Sequence, residues 1–188
     1  MDVFLEYLMR KKPNKNDTLK QLGVVFFAFV ACVVVLLLFV KIAFIRPYVF
    51  LALAGVVYFS MIYLRNFNLE YEYIFTNGEL DIDVIKARTT RKRMTSLKCM
   101  SIELMASDKN DIYKNDFENG TFSNTFDAVY DASQGRIYHV IFSNQGERNL
   151  LSFQPPVKLL AAMKKMNPRN IFLDEIDVLA EETLEESK

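Results

Sequence analysis

Tryptophan is absent from this 188-residue chain, histidine occurs once and cysteine twice. A lone histidine, His139, cannot supply the clustered imidazoles of a metal or acid–base site, and Cys32 and Cys99 stand too far apart in kind and place to suggest a disulfide framework or a thiolate metal site. None of the six glycines forms a phosphate-cradling or dinucleotide-binding pattern. Excess charge is missing as well: 23 basic residues balance 23 acidic ones, so the chain lacks the overall basic footprint of a nucleic-acid binder. Catalysis needs positioned acids, bases, nucleophiles or metals, and these absences leave no catalytic, cofactor-binding or metal-binding set to name. The expectation is a non-enzymatic protein without a cofactor.

What is present is sorted along the chain. Arg10, Lys11, Lys12, Lys15 and Lys20 crowd the beginning. "KARTTRKRMTSLK" in the middle holds six cations in thirteen residues and no acid, namely Lys86, Arg88, Arg91, Lys92, Arg93 and Lys98. The end, "DEIDVLAEETLEESK", carries seven acids against one lysine. Between the first two blocks lie two uncharged runs. "LGVVFFAFVACVVVLLLFV", residues 22–40, spans roughly 28 Å at about 1.5 Å per helical residue, close to the thickness of bilayer hydrocarbon. "PYVFLALAGVVYFSMIYL", residues 47–64, has Tyr48 and Tyr63 near its ends, where amphipathic aromatics favour headgroups.

The first run is longer than the apolar part of a typical signal peptide and precedes no small-x-small cleavage site. "FVAC" at Cys32 has the look of a lipoprotein box, yet eight apolar residues follow the cysteine. Neither run shows the polar stripe of a soluble core helix. Two transmembrane helices joined by residues 41–46 are therefore expected. Five cations before the first run and Arg65 after the second place both termini in the cytoplasm by the positive-inside rule, giving a multi-pass cell-membrane protein. No ionisable residue lies within either run, which removes the usual mark of a transport pathway. Within residues 1–21, Phe4, Leu5, Leu8 and Met9 have the spacing of a short interfacial helix; a frayed terminus is the alternative.

From 66 to 173 the text changes. "NLEYEYIFTNGELDIDVI" alternates apolar and acidic residues on both sides of Asn77-Gly78, which predicts a β-hairpin. "RKRMTS" and "CMSIELMAS" are strand-like. The asparagine-rich 107–127 reads as a long loop or disordered insert. "AVYDASQGRIYHVIFSNQGERNLLSF" gives three more strands with turns at Gln134-Gly135 and Gln145-Gly146. "PPVKLLAAMKKMNP" opens with prolines, sets Leu159, Leu160, Met163 and Met166 on one face and stops at Pro168, the pattern of one amphipathic helix.

About seven short antiparallel strands followed by one helix is the order of a pleckstrin-homology-like barrel, in which the helix plugs the open end of a bent sheet. On "YEYIFTNGELDID", "RMTSLKCMSIEL" and "YHVIFSNQGERNLLSFQPPVKLLAAMKKMNP", the chain resembles bacterial membrane proteins with an N-terminal transmembrane hairpin and a pleckstrin-homology-like domain. The resemblance implies a membrane α-helical hairpin plus an α+β or all-β domain, and carries no active-site motif. Lipid-binding members of the wider superfamily hold phosphoinositide with cations in the first strand-to-strand loop. Here that loop is only "TNG".

His139 sits on the Ile137/Ile141 side of its strand, a structural position, and Asp81 and Asp83 are expected to face water. "DKNDIYKNDFEN" lacks the sixth-position glycine of a calcium loop and has Ile112 where an oxygen ligand would be needed. The expected role is protein interaction or scaffolding at the inner leaflet, with an unknown protein partner. The alternatives are a domain sensing anionic phospholipid through Lys86, Arg88, Arg91, Lys92, Arg93 and Lys98, or an accessory subunit of a membrane enzyme or transporter. No aromatic interleaves those six cations, so nucleic acid is not the expected partner. The tail 174–188 is either solvated or a short helix with Ile176, Leu179, Ala180 and Leu184 on one side.

Overall fold

The structure is a computed structural model describing residues 3–41, 43–131, 133, 136–174 and 177. It divides into two compact units: the described residues within 1–12, 70–85 and 91–188, and a second unit of 13–69 with 86–90.

In the first unit the strands form two four-stranded sheets. One holds β1 (Phe4–Arg10), β2 (Leu69–Thr76), β3 (Glu79–Lys86) and β4 (Thr90–Lys98) in the order β1-β2-β3-β4. A 3-10 turn, Cys99–Ser101, leads into β5 (Ile102–Ser107). The second sheet has the order β5-β7-β8-β6, with β6 at Asn124–Ala128, β7 at Tyr138–Asn144 and β8 at Glu147–Phe153. The hairpins form where the sequence supplies left-handed backbone: Asn77 and Gly78 at φ 50° and 91°, Gln145 and Gly146 at φ 54° and 83°. Those pairs match the primed turns whose twist suits a two-residue β-connection.

Alternation buries one face of each sheet in a shared core. Tyr71, Tyr73 and Phe75 from β2 and Leu80 and Ile82 from β3 meet Tyr138, Val140 and Phe142 from β7 and Leu151 and Phe153 from β8. The buried Tyr73 hydroxyl donates to the Ala128 carbonyl at 2.6 Å, so burying the ring strands no polar atom. The C-terminal helix α4 (Val157–Met166) seals the core with Leu159, Leu160 and Met163. It starts at Pro156, whose carbonyl accepts from the Leu159 and Leu160 amides. Its end is fixed by Asn167, whose buried amide donates to the Cys99 and Ile102 carbonyls at 2.9 and 3.2 Å.

Four expectations change. The strands form two sheets of four and not a closed barrel of seven, and β6 runs parallel to β8. Phe4–Arg10 is a strand and not an interfacial helix. "FLEYLMR" also has period two, and pairing with β2 from Phe4↔Thr76 to Arg10↔Glu70 satisfies its backbone, which a short isolated helix could not do as well. The asparagine-rich insert is ordered: α3 (Lys114–Glu118) lays Phe117 on the outer face of the second sheet, together with Tyr113 and Phe122. Val129 and Tyr130 lie beyond the end of β6, outside the strand expected there. The Gln134-Gly135 turn and the tail helix through Ile176, Leu179, Ala180 and Leu184 lie outside the described residues.

The second unit contains α1 (Lys15–Lys41), a 3-10 segment Ala43–Tyr48 and α2 (Val49–Arg65). Asn14 caps α1: its Oδ1 accepts from the Lys15 amide at 2.7 Å and its carbonyl accepts from the Thr18 amide. α1 thus begins seven residues before the apolar run and is long and apolar enough to cross a membrane. α2, with 17 residues, is at the short end of the spanning range. The helices pack along each other beside a groove of about 710 Å³ lined by Ala28, Ala31, Ala52 and Gly55, among others.

Asn167→Ala deprives two buried carbonyls of this donor, and the expected cost is about 1–3 kcal/mol. Thermal unfolding in detergent checks it; an unchanged midpoint would show that the other donors, Asn170 to the Ile102 carbonyl and the Ile102 amide to the Cys99 carbonyl, suffice.

Candidate functional site

Part of the basic stretch meets acids on the face of the first sheet that is turned away from the core. Glu70 and Glu72 alternate with the core tyrosines of β2, and Asp81 and Asp83 alternate with Leu80 and Ile82 of β3. Four carboxylates thus share the outer face. β4 brings Arg91 and Arg93 beside them. Arg91 reaches Asp83 through Nε at 2.6 Å and Glu72 through Nη2 at 2.6 Å. Arg93 binds Asp81 through Nη1 at 2.7 Å and also donates from Nε to Asp83. Asp83 is only 3% exposed and takes one guanidinium on each oxygen.

Charge bonding of this kind is geometrically specific, because a planar guanidinium offers paired donors to a carboxylate. The hydrogen bond to Asp83 holds Arg91 above its ordinary pKa. Glu72 is raised by its burial, pulled back by Arg91 and pushed up again by a hydrogen bond with the Glu6 carboxyl of β1. Asp83 therefore does not simply face water, and Arg91 and Arg93 have intramolecular acids as their partners.

Of the other four cations in the stretch, Lys86, Lys92 and Lys98 have exposed side chains, and so does Arg88 at the turn between β3 and β4. Ala87 and Arg88 hold left-handed backbone, φ 52° and 59°, a conformation that costs a non-glycine residue about 1 kcal/mol or more. The Ala87 amide donates to the Asn68 carbonyl at 2.8 Å, three residues beyond the end of α2. Residues 86–90 consequently cluster in the same compact unit as the two apolar helices.

The remaining chemistry-bearing groups lie away from this face. His139 lies on the second sheet, with Nδ1 at 2.9 Å from Ser152 Oγ and its ring 5.2 Å from that of Phe117. Burial lowers its pKa, which keeps the imidazole neutral at neutral pH. It borders a cavity of about 230 Å³ with Ser107, Asp108, Asn110, Lys114 and Glu118. Asp81 and Asp83 are on the other sheet. Burial pushes the Cys99 thiol up to about 12, leaving it unreactive. No group of three or more metal-ligating side chains occurs among the described residues.

Sequence reasoning missed one polar cluster. Arg136 pairs with Asp177 at 2.5 Å and Asp174 at 3.8 Å, Tyr138 donates to Asp177, and Ser107 donates to Asp174 at 2.7 Å. These bonds fasten Asp174 and Asp177 beside a cavity of about 320 Å³ lined by Lys109, Pro155 and Leu160. The charge complement between Arg136 and the tail was present in the sequence, but nothing local joined them.

The hairpin turn corresponding to the loop at which superfamily members hold phosphoinositide is here only the two residues Asn77 and Gly78, packed against the C-terminal helix and the 3-10 turn. Met166 Sδ lies 3.7 Å from where a Cβ on Gly78 would stand, and the Gly78 carbonyl accepts from the Cys99 amide at 2.8 Å. Across residues 1–173 the chain matches the profile of a bacterial pleckstrin-homology-like domain family, DUF6106. The chain belongs to that family. No curated protein and no solved structure matches it. For this DUF6106 protein, a family domain with two sheets and a C-terminal helix is joined to an N-terminal helix able to cross a membrane, the make-up of a membrane-associated protein.

Asp83→Asn keeps the shape of the site but removes the charge shared by two half-exposed arginines. The expected loss is about 1–2 kcal/mol, discounted for solvent around the guanidinium groups. Asp81→Asn, at a more exposed position, should cost less; equal midpoints for both variants and the parent in thermal unfolding would contradict the shared-carboxylate geometry.

Proposed function

We propose that this DUF6106 protein is a non-enzymatic integral membrane protein whose two apolar helices cross the bilayer as a hairpin, with both termini cytoplasmic, and whose pleckstrin-homology-like domain serves as an interaction or scaffolding module at the inner leaflet. The observation that carries the reading is the pairing of β1 with β2. β1 precedes α1 and β2 follows α2, so the two strands can pair only from the same side of a membrane. If α1 crosses, the chain must cross back, and α2 with its 17 residues is the segment available to do so. The five cations before the first apolar run favour the cytoplasmic side.

Affinity isolation of the full chain from membranes solubilised in several mild detergents is expected to recover a partner in stoichiometric amount. Recovery of the chain alone in all of them would defeat the interaction reading.

A second reading has an observation of its own. With Arg91 and Arg93 committed to acids, Lys86, Lys92 and Lys98 at and after the β3–β4 turn present exposed side chains to anionic headgroups. Each cation close to an anionic leaflet contributes on the order of 1 kcal/mol. In lipid nanodiscs, hydrogen exchange at residues 86–92 of the full chain should slow when anionic lipid replaces zwitterionic lipid, and Lys86→Gln/Lys92→Gln should remove the difference. Equal exchange in both lipids would reject the contact.

A further inference from the structure

Strand edges are the parts of this domain where a partner can bond through its backbone. The edge of β5 is covered from within the chain: the Met105 amide donates to Asn170 and the Phe172 amide to Met105, each at 2.8 Å. β1 ends the first sheet on the other side and has no further strand beside it among the described residues.

The register with β2 determines what that edge offers. The Asn77 amide donates to the Val3 carbonyl at 3.0 Å. Counting by two from Val3, the backbone groups of Leu5, Tyr7 and Met9 face β2, while those of Phe4, Glu6, Leu8 and Arg10 point outward. The same four outward positions carry the solvent-side side chains, with Phe4 62% and Leu8 57% exposed. On the inner side Leu5, Tyr7 and Met9 pack on the core but remain only partly buried, whereas Tyr73 and Phe75 of β2 are at 0%. The rim of the core is open along β1.

We propose that β1 pairs antiparallel with β1 of a second copy of the chain, about a two-fold axis at Leu8. The strand is self-complementary in that register and in no neighbouring one of the same parity. Glu6 faces Arg10 of the second copy and Arg10 faces its Glu6, Leu8 meets Leu8, and on the inner side Tyr7 meets Met9 twice. Moving the axis to Tyr7 puts Glu6 opposite Leu8, and moving it to Glu6 puts like charges together, which destabilises a cross-strand pair. Glu6 already shares a hydrogen bond with the Glu72 carboxyl, so a facing guanidinium offsets a local surplus of acid. The ladder stops beyond Arg10, because the Lys12 amide is bonded to the Tyr130 carbonyl at 2.6 Å. About six new backbone hydrogen bonds join the two first sheets into one.

The test uses the full chain in mild detergent, sized by light scattering. A dimer is expected, with Glu6→Arg and Arg10→Glu each purifying as a monomer. Co-expressing the two variants should restore a dimer containing one of each, since one copy then presents two cations and the other two acids. This recovery separates a lost interface from a failed fold. In a Cys32→Ser background, with Cys99 buried, Leu8→Cys should oxidise to a linked dimer, since opposed residues of a hydrogen-bonded pair lie about 5.5 Å apart at Cα, within disulfide range. Tyr7→Cys should not. A monomeric parent, a dimer indifferent to both charge variants, variants whose mixture stays monomeric, or linkage through position 7 in preference to 8 would each overturn the proposal.

Discussion

The pairing of β1 with β2 is the constraint on which the rest depends. Adjacent strands lie about 4.8 Å apart, so the register that sets Arg10 opposite Glu70 brings together the two ends of a segment containing both apolar helices. The domain is consequently discontinuous in sequence. Its first strand is made before the helices and its second after them, and the family match beginning at residue 1 includes that first strand. Lys12 reinforces the closure: it bonds to Tyr130 through its amide and pairs with Asp131 at 2.5 Å, holding that carboxyl down to about 2.

What could be read from the sequence was what local patterns determine. Asn77-Gly78 specifies its turn because both residues tolerate left-handed backbone, and α4 announces itself by prolines, a 3.6-residue stripe and a stop. The apolar runs needed only length and the absence of charge. β1 was illegible because seven residues satisfy two periods at once, and the partner that decides between them is β2, on the far side of both helices. The insert misled by composition: asparagine and aspartate dominate it, yet Phe117 and Phe122 supply enough apolar surface to cover Ile141 and Ala106. The parallel run of β6 beside β8 likewise depends on where that insert returns.

The basic stretch illustrates the same limit for the site. Alternation correctly put Asp81 and Asp83 on the face away from the core, and the run of arginines was plain. That the two features neutralise each other follows only from β4 lying beside β3. A block of like charge in sequence is thus divided in space, with Arg91 and Arg93 spent inside the domain and four cations directed outward. His139 shows the converse: a residue conspicuous by rarity sits under Phe117 and is bonded to a serine.

Order of synthesis gives the β1–β2 pairing a meaning in time. The first strand leaves the ribosome long before its partner, and while the helices are still being made it has no mate for its backbone and no core for Leu5, Tyr7 and Met9. Contacts between residues so distant in sequence form slowly, because the intervening chain must be closed first. A chain threaded with its two ends on opposite faces of a membrane could never make them. If the helices cross a membrane as proposed, completion of the domain reports on correct threading, and a misinserted copy is left with an unpaired strand and an open core, exposed apolar surface and a bare strand edge that make a chain prone to aggregate.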